Sequence, residues 1–251
     1  MKNYILPRTY TKEIWERGGK NEYSKQFIGK PYISWSQVES FNSKSGFNTG
    51  LKGDLEYIKS YFLKEQFPDM GWGEFGQITE DYICYRKEKE HFSEEEKEVL
   101  NKIKPLGVFQ REVVYLIPDT NVIVLGYIDD MTEPNGKVVK IIRDYKTKSK
   151  SSKEDLHLPE KHQLEIYAMA LIQEGYSVEQ AEYVIIERLG GYQCMQGGGI
   201  ESLSIGKQVW NEPYDSKRLK EERFKETNKL LLKTVKEVSS LYKTYLKYFG
   251  E

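Results

Sequence analysis

The feature that most constrains this chain is a pair of apolar runs that each turn acidic at the end. Val122-Ile123-Val124-Leu125-Gly126-Tyr127-Ile128 leads into Asp129, and Ile141-Ile142-Arg143 leads into Asp144-Tyr145-Lys146. Between them Glu133-Pro134-Asn135-Gly136 carries the Asn-Gly signal of a tight hairpin. Short apolar runs bounded by turn residues predict two strands, the first ending at Asp129. Successive strand residues face opposite sides, so Asp144 and Lys146 share one face and Tyr145 takes the other. Both strands deliver a carboxylate where the apolar run stops, and strand ends are where ligands sit in α/β sheets. If the hairpin makes 122–129 and 137–147 plain antiparallel neighbours, Asp129 meets the start of the second strand rather than Asp144. Strong twist, a bulge or a splayed pair is then needed to bring the acids together. Asp130 is the rival of Asp129 for this role, but it lies one pleat on and should face the other side, so Asp130→Ala is expected to be mild for the site where Asp129→Ala is not.

Composition bounds what this hairpin can belong to. A chain of 251 residues, 31% charged and 13% aromatic with 19 tyrosines, can bury one sizeable core and is not disordered. The net charge of −1, from 38 basic and 39 acidic residues, leaves any polyanion contact to a local patch. Two cysteines, Cys84 and Cys194, cannot supply a four-thiolate iron–sulfur cluster. No apolar stretch approaches the ~18 residues of a membrane span. Lys2, Asn3 and Tyr4 before Pro7 do not read as a signal peptide, so a soluble protein of a reducing, cytoplasmic compartment is expected.

Along the chain, residues 1–32 read as an irregular arm or short helices. Ser34 or Ser36 caps a helix with Trp35, Val38 and Phe41 on one face. Residues 54–66 read as a helix, and Pro68–Gly73 as a turn into a helix carrying Glu80. Residues 86–104 are charged enough for a surface helix. Phe109–Ile117 is a strand that turns at Pro118–Asn121. Glu112 on that strand could support the carboxylates from behind or pair with a cation, and a salt-bridge partner is the favoured expectation. Lys148, Lys150 and Lys153 make the loop after Lys146 basic, which suits phosphate contacts. Pro159 and Gly175 bracket a helix on which Gln163 and Tyr167, four apart, share a face. Residues 181–188 form a further strand, followed by a Gly-rich loop through Gly197–Gly199. From Asp215 a long helix presents Leu231, Val235, Val238, Tyr242, Tyr245 and Phe249 as an apolar seam, expected to pack back onto the core, with a seam between two copies as the alternative. There is no G-x-x-x-x-G-K-[ST], no G-x-S-x-G and no H-E-x-x-H, and His91, His157 and His162 are the only histidines.

The set Gly126-x-Ile128-Asp129, then Asp144-Tyr145-Lys146, then Gln163-x-x-x-Tyr167 on a helix resembles the RecB-like branch of the PD-(D/E)xK nuclease superfamily, including its phage exonucleases. The resemblance covers roughly residues 76–188. Glu80 follows Gly76 by four residues, as in that family's first motif. The resemblance implies an α/β (α+β), restriction-endonuclease-like αβββαβ core over residues 71–190, a mixed sheet flanked by helices. An N-terminal helical part (1–70) and a C-terminal part (191–251) with a loop, a strand and the long helix would complete a single domain. It implies a splayed hairpin that converges the two acids. Glu80, Asp129, Asp144 and the Tyr145 carbonyl would hold Mg²⁺, with Mn²⁺ as a substitute, and Lys146, Gln163 and Tyr167 would act with them. DNA ends would be the substrate, with a recombination or replication protein as partner. Members with an iron–sulfur cluster carry a cysteine where this chain has Asn42-Ser43-Lys44-Ser45, so no cluster is expected. The literal Pro118-Asp119 is rejected as a ligand because it lies at the far end of the strand from Asp129. A non-catalytic DNA-binding or assembly protein on the same fold is the competing reading.

Overall fold

A computed structural model describes residues 2–43, 53, 55–56, 58–59, 71–149, 162–190, 199–214, 219 and 221–249. Most of the helix expected at 54–66, the Gly-rich loop, Pro159, Lys150 and Lys153 lie outside the described residues. The N-terminal arm holds a short helix α1 (Lys12–Arg17), capped by the Thr11 hydroxyl, and a 3-10 turn at Ser24–Phe27. Ile33 and Ser34, expected at the start of a helix, instead belong with Tyr32 to strand β1 (Tyr32–Ser34), and helix α2 (Trp35–Ser43) starts immediately after it. Ser34 and Gln37 cap each other reciprocally, the Ser34 amide donating to Gln37 Oε1 at 2.9 Å. Trp35, Val38 and Phe41 are buried as a face of α2.

Glu80 lies on α3 (Trp72–Tyr85). The charged stretch after it is not one surface helix. It comprises a 3-10 turn at Lys89–His91 and a seven-residue helix α4 (Glu94–Leu100). Phe92, Leu100 and Ile103 anchor this segment in an apolar cluster with Phe75, Tyr145 and Val184, an anchorage that charge content does not reveal. Then follow β2 (Gly107–Leu116), β3 (Ile123–Thr132), β4 (Val138–Ser149), α5 (Gln163–Gln173), β5 (Ser177–Leu189), β6 (Ser204–Tyr214) and α6 (Glu221–Phe249).

The six strands form one mixed sheet. β2 lies antiparallel along the whole of β3, while the other edge of β3 is shared by β1 at residues 123–125 and β4 at 130–131. β4 and β5 are parallel, joined by the crossover through α5, and β6 closes that side antiparallel to β5. The main core lies between the sheet and helices α2, α5 and α6. Leu231, Val235 and Val238 of α6 are fully buried there, each contributing about 1.5–3 kcal/mol by removal from water. Tyr242 and Tyr245 continue the seam half-buried, whereas Phe249 is 54% exposed. The long helix thus packs onto its own domain.

Candidate active site

The edge of β3 between its contacts with β1 and β4 is where the predicted residues gather. β3 does not end at Asp129 but runs to Thr132, and the turn closes between Asn135 and Val138. Asp130 therefore pairs with Arg143 and Met131 with Ile142, which sets Asp129 level with Asp144. The expectation that plain hairpin pairing would send Asp129 to the start of the second strand is corrected by this extra length. The β3–β4 ladder holds only those two pairs, whereas β4 pairs with β5 through Ser149. Where the strands part, the Tyr145 amide donates to Asp129 Oδ2 at 2.8 Å.

Asp144 is buried and forms an ion pair with Lys146. Its Oδ1 accepts from Gln163 Nε2 at 2.7 Å, and the same amide donates to the Tyr167 hydroxyl at 2.8 Å. Gln163 thus grips Asp144, and Tyr167 holds Gln163. Gly126 makes this docking possible: a Cβ there would stand 2.6 Å from Cε1 of the Tyr167 ring. Glu80 reaches the site from α3 and accepts a hydrogen bond from Gln110 of β2. Lys148 continues the Asp144–Lys146 face of β4. Asp119 sits in the distal turn with φ +60°.

Asp130 leaves the site altogether. It is fully buried, accepting from the amides of Leu106 at 2.8 Å and Gly107 at 3.2 Å, from the Tyr145 hydroxyl at 2.7 Å and from Arg143 at 3.3 Å. Asp130 is thus turned to the other side of the sheet, and this anchorage makes its substitution a matter of stability. Glu112, expected to be a salt-bridge partner, forms no ion pair among the described residues. It is buried on β2, where the hydroxyls of Tyr10 and Ser24 each donate to Oε1 at 2.7 Å and tie the N-terminal arm to the sheet.

Burial, with Asp144 and Asp81 nearby and Gln110 and Lys146 opposing, pushes Glu80 up to about 7. Burial, then Asp144 and Glu80, raises Asp129 well above the usual carboxylate range. Burial disfavours the Lys146 charge, but Asp144 and Asp129 outweigh it and raise the ammonium pKa. Three acids therefore share one ammonium, a surplus of negative charge that a cation relieves. Hard carboxylate oxygens suit Mg²⁺ or Mn²⁺, so the donor chemistry fits. Among the described residues no three His, Cys, Asp or Glu side chains are grouped so as to hold a metal ion. Asp129, Asp144 and Glu80 are instead each held by the protein donors named above.

A cleft of about 420 Å³ opens from Lys146, Gln163 and Tyr167 toward the N-terminal arm, where Arg8, Arg17 and Trp35 line it. Neither the cleft nor Gln110 was found from sequence. The arm approaches through contacts more than 80 residues apart in the chain, and Gln110 interrupts an otherwise ordinary strand pattern.

No protein-family model and no curated protein matches the sequence. Among solved structures, the chain is similar to the crystal structure of a provisionally named exonuclease from Eubacterium rectale. The TM-score is 0.51 at 13% identity, covering 93% of this chain and 87% of that one. The likeness is one of fold: a mixed α/β sheet flanked by helices, with a long C-terminal helix.

Proposed function

We propose that this protein is a Mg²⁺-dependent deoxyribonuclease of the PD-(D/E)xK type, RecB-like branch, hydrolysing phosphodiester bonds at DNA ends during recombination, replication or repair. The observation that carries the reading is the placement of Asp129 beside Asp144 at the parting of β3 and β4, with Lys146 paired to Asp144. The Eubacterium rectale exonuclease of similar fold supports it. Asp129 and Asp144 would hold the ion, with Glu80 and the Tyr145 carbonyl completing the set. Bound there, Mg²⁺ supplies an activated water and neutralises charge on the phosphate. Lys146 presents its ammonium to the scissile phosphate and stabilises the charge that builds on it. Gln163 fixes the Asp144 carboxylate, and Tyr167 braces Gln163. Arg8, Arg17 and Lys146 line the cleft against Glu39, a balance that suits an anionic strand. Lys148, on the face of Asp144 and Lys146, would contact the backbone, and the charges of Lys150 and Lys153, outside the described residues, would add to it. No described helix is long and apolar enough to cross a membrane.

The test is Mg²⁺-dependent cleavage of linear and circular DNA by the wild-type protein and Lys146→Ala. Wild type should degrade linear DNA and spare circles. Lys146→Ala should be slower by about 10²–10³, the usual cost of losing a preorganised charge, while retaining Mn²⁺ binding. Wild-type protein that binds DNA and cuts nothing at any divalent ion would favour the non-catalytic reading.

A further inference from the structure

Gln110 has φ +49°, in the left-handed region that residues bearing a Cβ seldom occupy. It stands where the β2–β3 ladder is interrupted. Phe109 pairs with Asp130 and Arg111 with Ile128, so Gln110 is level with Asp129 and the two are not paired.

The interruption reverses the pleat of both strands. In β3, Ile128 and Met131 are three apart yet both lie in the main core, although strand residues on one face are separated by even numbers. In β2, Val108 and Val113 are five apart and both pack against that core. Asp130 is turned instead to Tyr145, in the cluster on the other side of the sheet. A regular ladder would keep Asp130 on the face of Ile128. The reversal at Gln110 sends Asp130 away and leaves Asp129 at the parting of the strands. The Gln110 side chain meanwhile donates its amide to Glu80. One residue thus touches one acid of the candidate site through its side chain and faces another across the strand pair.

We propose that Gln110 is a positioning residue of this site, its left-handed backbone aiming Asp129 and its amide holding Glu80 toward a shared divalent cation. The inference rests on the nuclease reading above and deepens it. Strained backbone persists where the surrounding structure over-determines it, commonly at functional sites, and strand irregularities there re-aim side chains. Outer-shell donors that orient carboxylate ligands typically change metal affinity by 10–100-fold when removed.

The experiment compares wild type, Gln110→Gly, Gln110→Asn and Asp129→Asn for Mn²⁺ affinity by calorimetry and for thermal unfolding without metal. Glycine and asparagine tolerate positive φ, while glycine lacks the amide and asparagine is too short to reach Glu80. Both Gln110 variants should unfold at or above the wild-type temperature and bind Mn²⁺ about tenfold or more weakly, and Asp129→Asn should bind none. Wild-type affinity in Gln110→Gly and Gln110→Asn, beside an Asp129→Asn that has lost binding, would overturn this inference alone. So would a Gln110→Gly protein that unfolds well below wild type, since the backbone would then carry no strain. Wild-type protein that binds no Mn²⁺ would overturn the metal reading and this one together.

Discussion

The Tyr145 amide donates to Asp129 Oδ2 at 2.8 Å across the gap where β3 and β4 separate. That bond fixes an acid whose charge burial, Asp144 and Glu80 all disfavour. In Asp129→Asn the side-chain carbonyl can accept from the same amide, while one charge is removed from three acids that share Lys146. We expect the metal-free variant to be more stable by about 1 kcal/mol, or roughly 2–4 °C in a domain of this size. It should also lose Mn²⁺ binding and cleavage. An unfolding temperature below wild type would show that the acids do not repel one another.

Asp130 behaves oppositely. Its carboxylate is fully buried and meets Arg143, the Tyr145 hydroxyl and two backbone amides. Asp130→Ala removes the acceptor of the Tyr145 hydroxyl and of the Leu106 and Gly107 amides, and leaves Arg143 with Glu182 as its one carboxylate partner among the described residues. Loss of one partner from a buried charge pair costs about 3–5 kcal/mol. Urea denaturation should therefore show a large loss of stability, while the folded fraction keeps wild-type Mn²⁺ affinity. A stable variant with weakened Mn²⁺ binding would exchange the roles of Asp129 and Asp130.

Gly126 and Tyr167 should be energetically coupled. A Cβ at 126 meets Cε1 of the tyrosine ring at 2.6 Å, which forces the ring or α5 to shift. Overpacking of this kind costs about 1–3 kcal/mol. Gly126→Ala should be destabilised by that amount and, because Gln163 rides on the same helix, should also cleave more slowly. In a Tyr167→Leu background the added methyl should cost far less. Additive effects of the two substitutions would mean that the ring does not press on Gly126.

The sequence pattern carried the elements because their signals are local. The apolar runs of β2 to β5, the Asn135-Gly136 turn and the four-residue spacing of Gln163 and Tyr167 all appear within a few residues. Register is not local. The placement of Asp129 beside Asp144 depends on β3 continuing through Asp130, Met131 and Thr132, where polar residues look like the end of a strand. β1 is three residues long and gains its identity only from pairing with Ile123–Leu125. The partners of Asp130 and Glu112 lie 13 to 102 residues away, so their burial cannot be read from neighbours.

Glu112 gives the pH prediction. Burial holds its carboxyl above the ordinary 4.5, while Ser24, Tyr10 and Arg111 oppose the shift. The folded protein therefore binds this proton more tightly than the unfolded chain. Its stabilising contribution is greatest below 4.5 and is lost as pH rises through the folded value. Glu112→Gln keeps an oxygen that can accept from Tyr10 and Ser24 but never ionises. Its unfolding temperature should match wild type in acid and exceed it at neutral pH. Glu112→Ala, which removes the acceptor, should be destabilised at both. Gly18, where a Cβ would collide with Glu112 Oε2, sets the space available, so Gly18→Ala should mimic the loss. An advantage of Glu112→Gln that does not change with pH would show that burial does not govern this carboxyl.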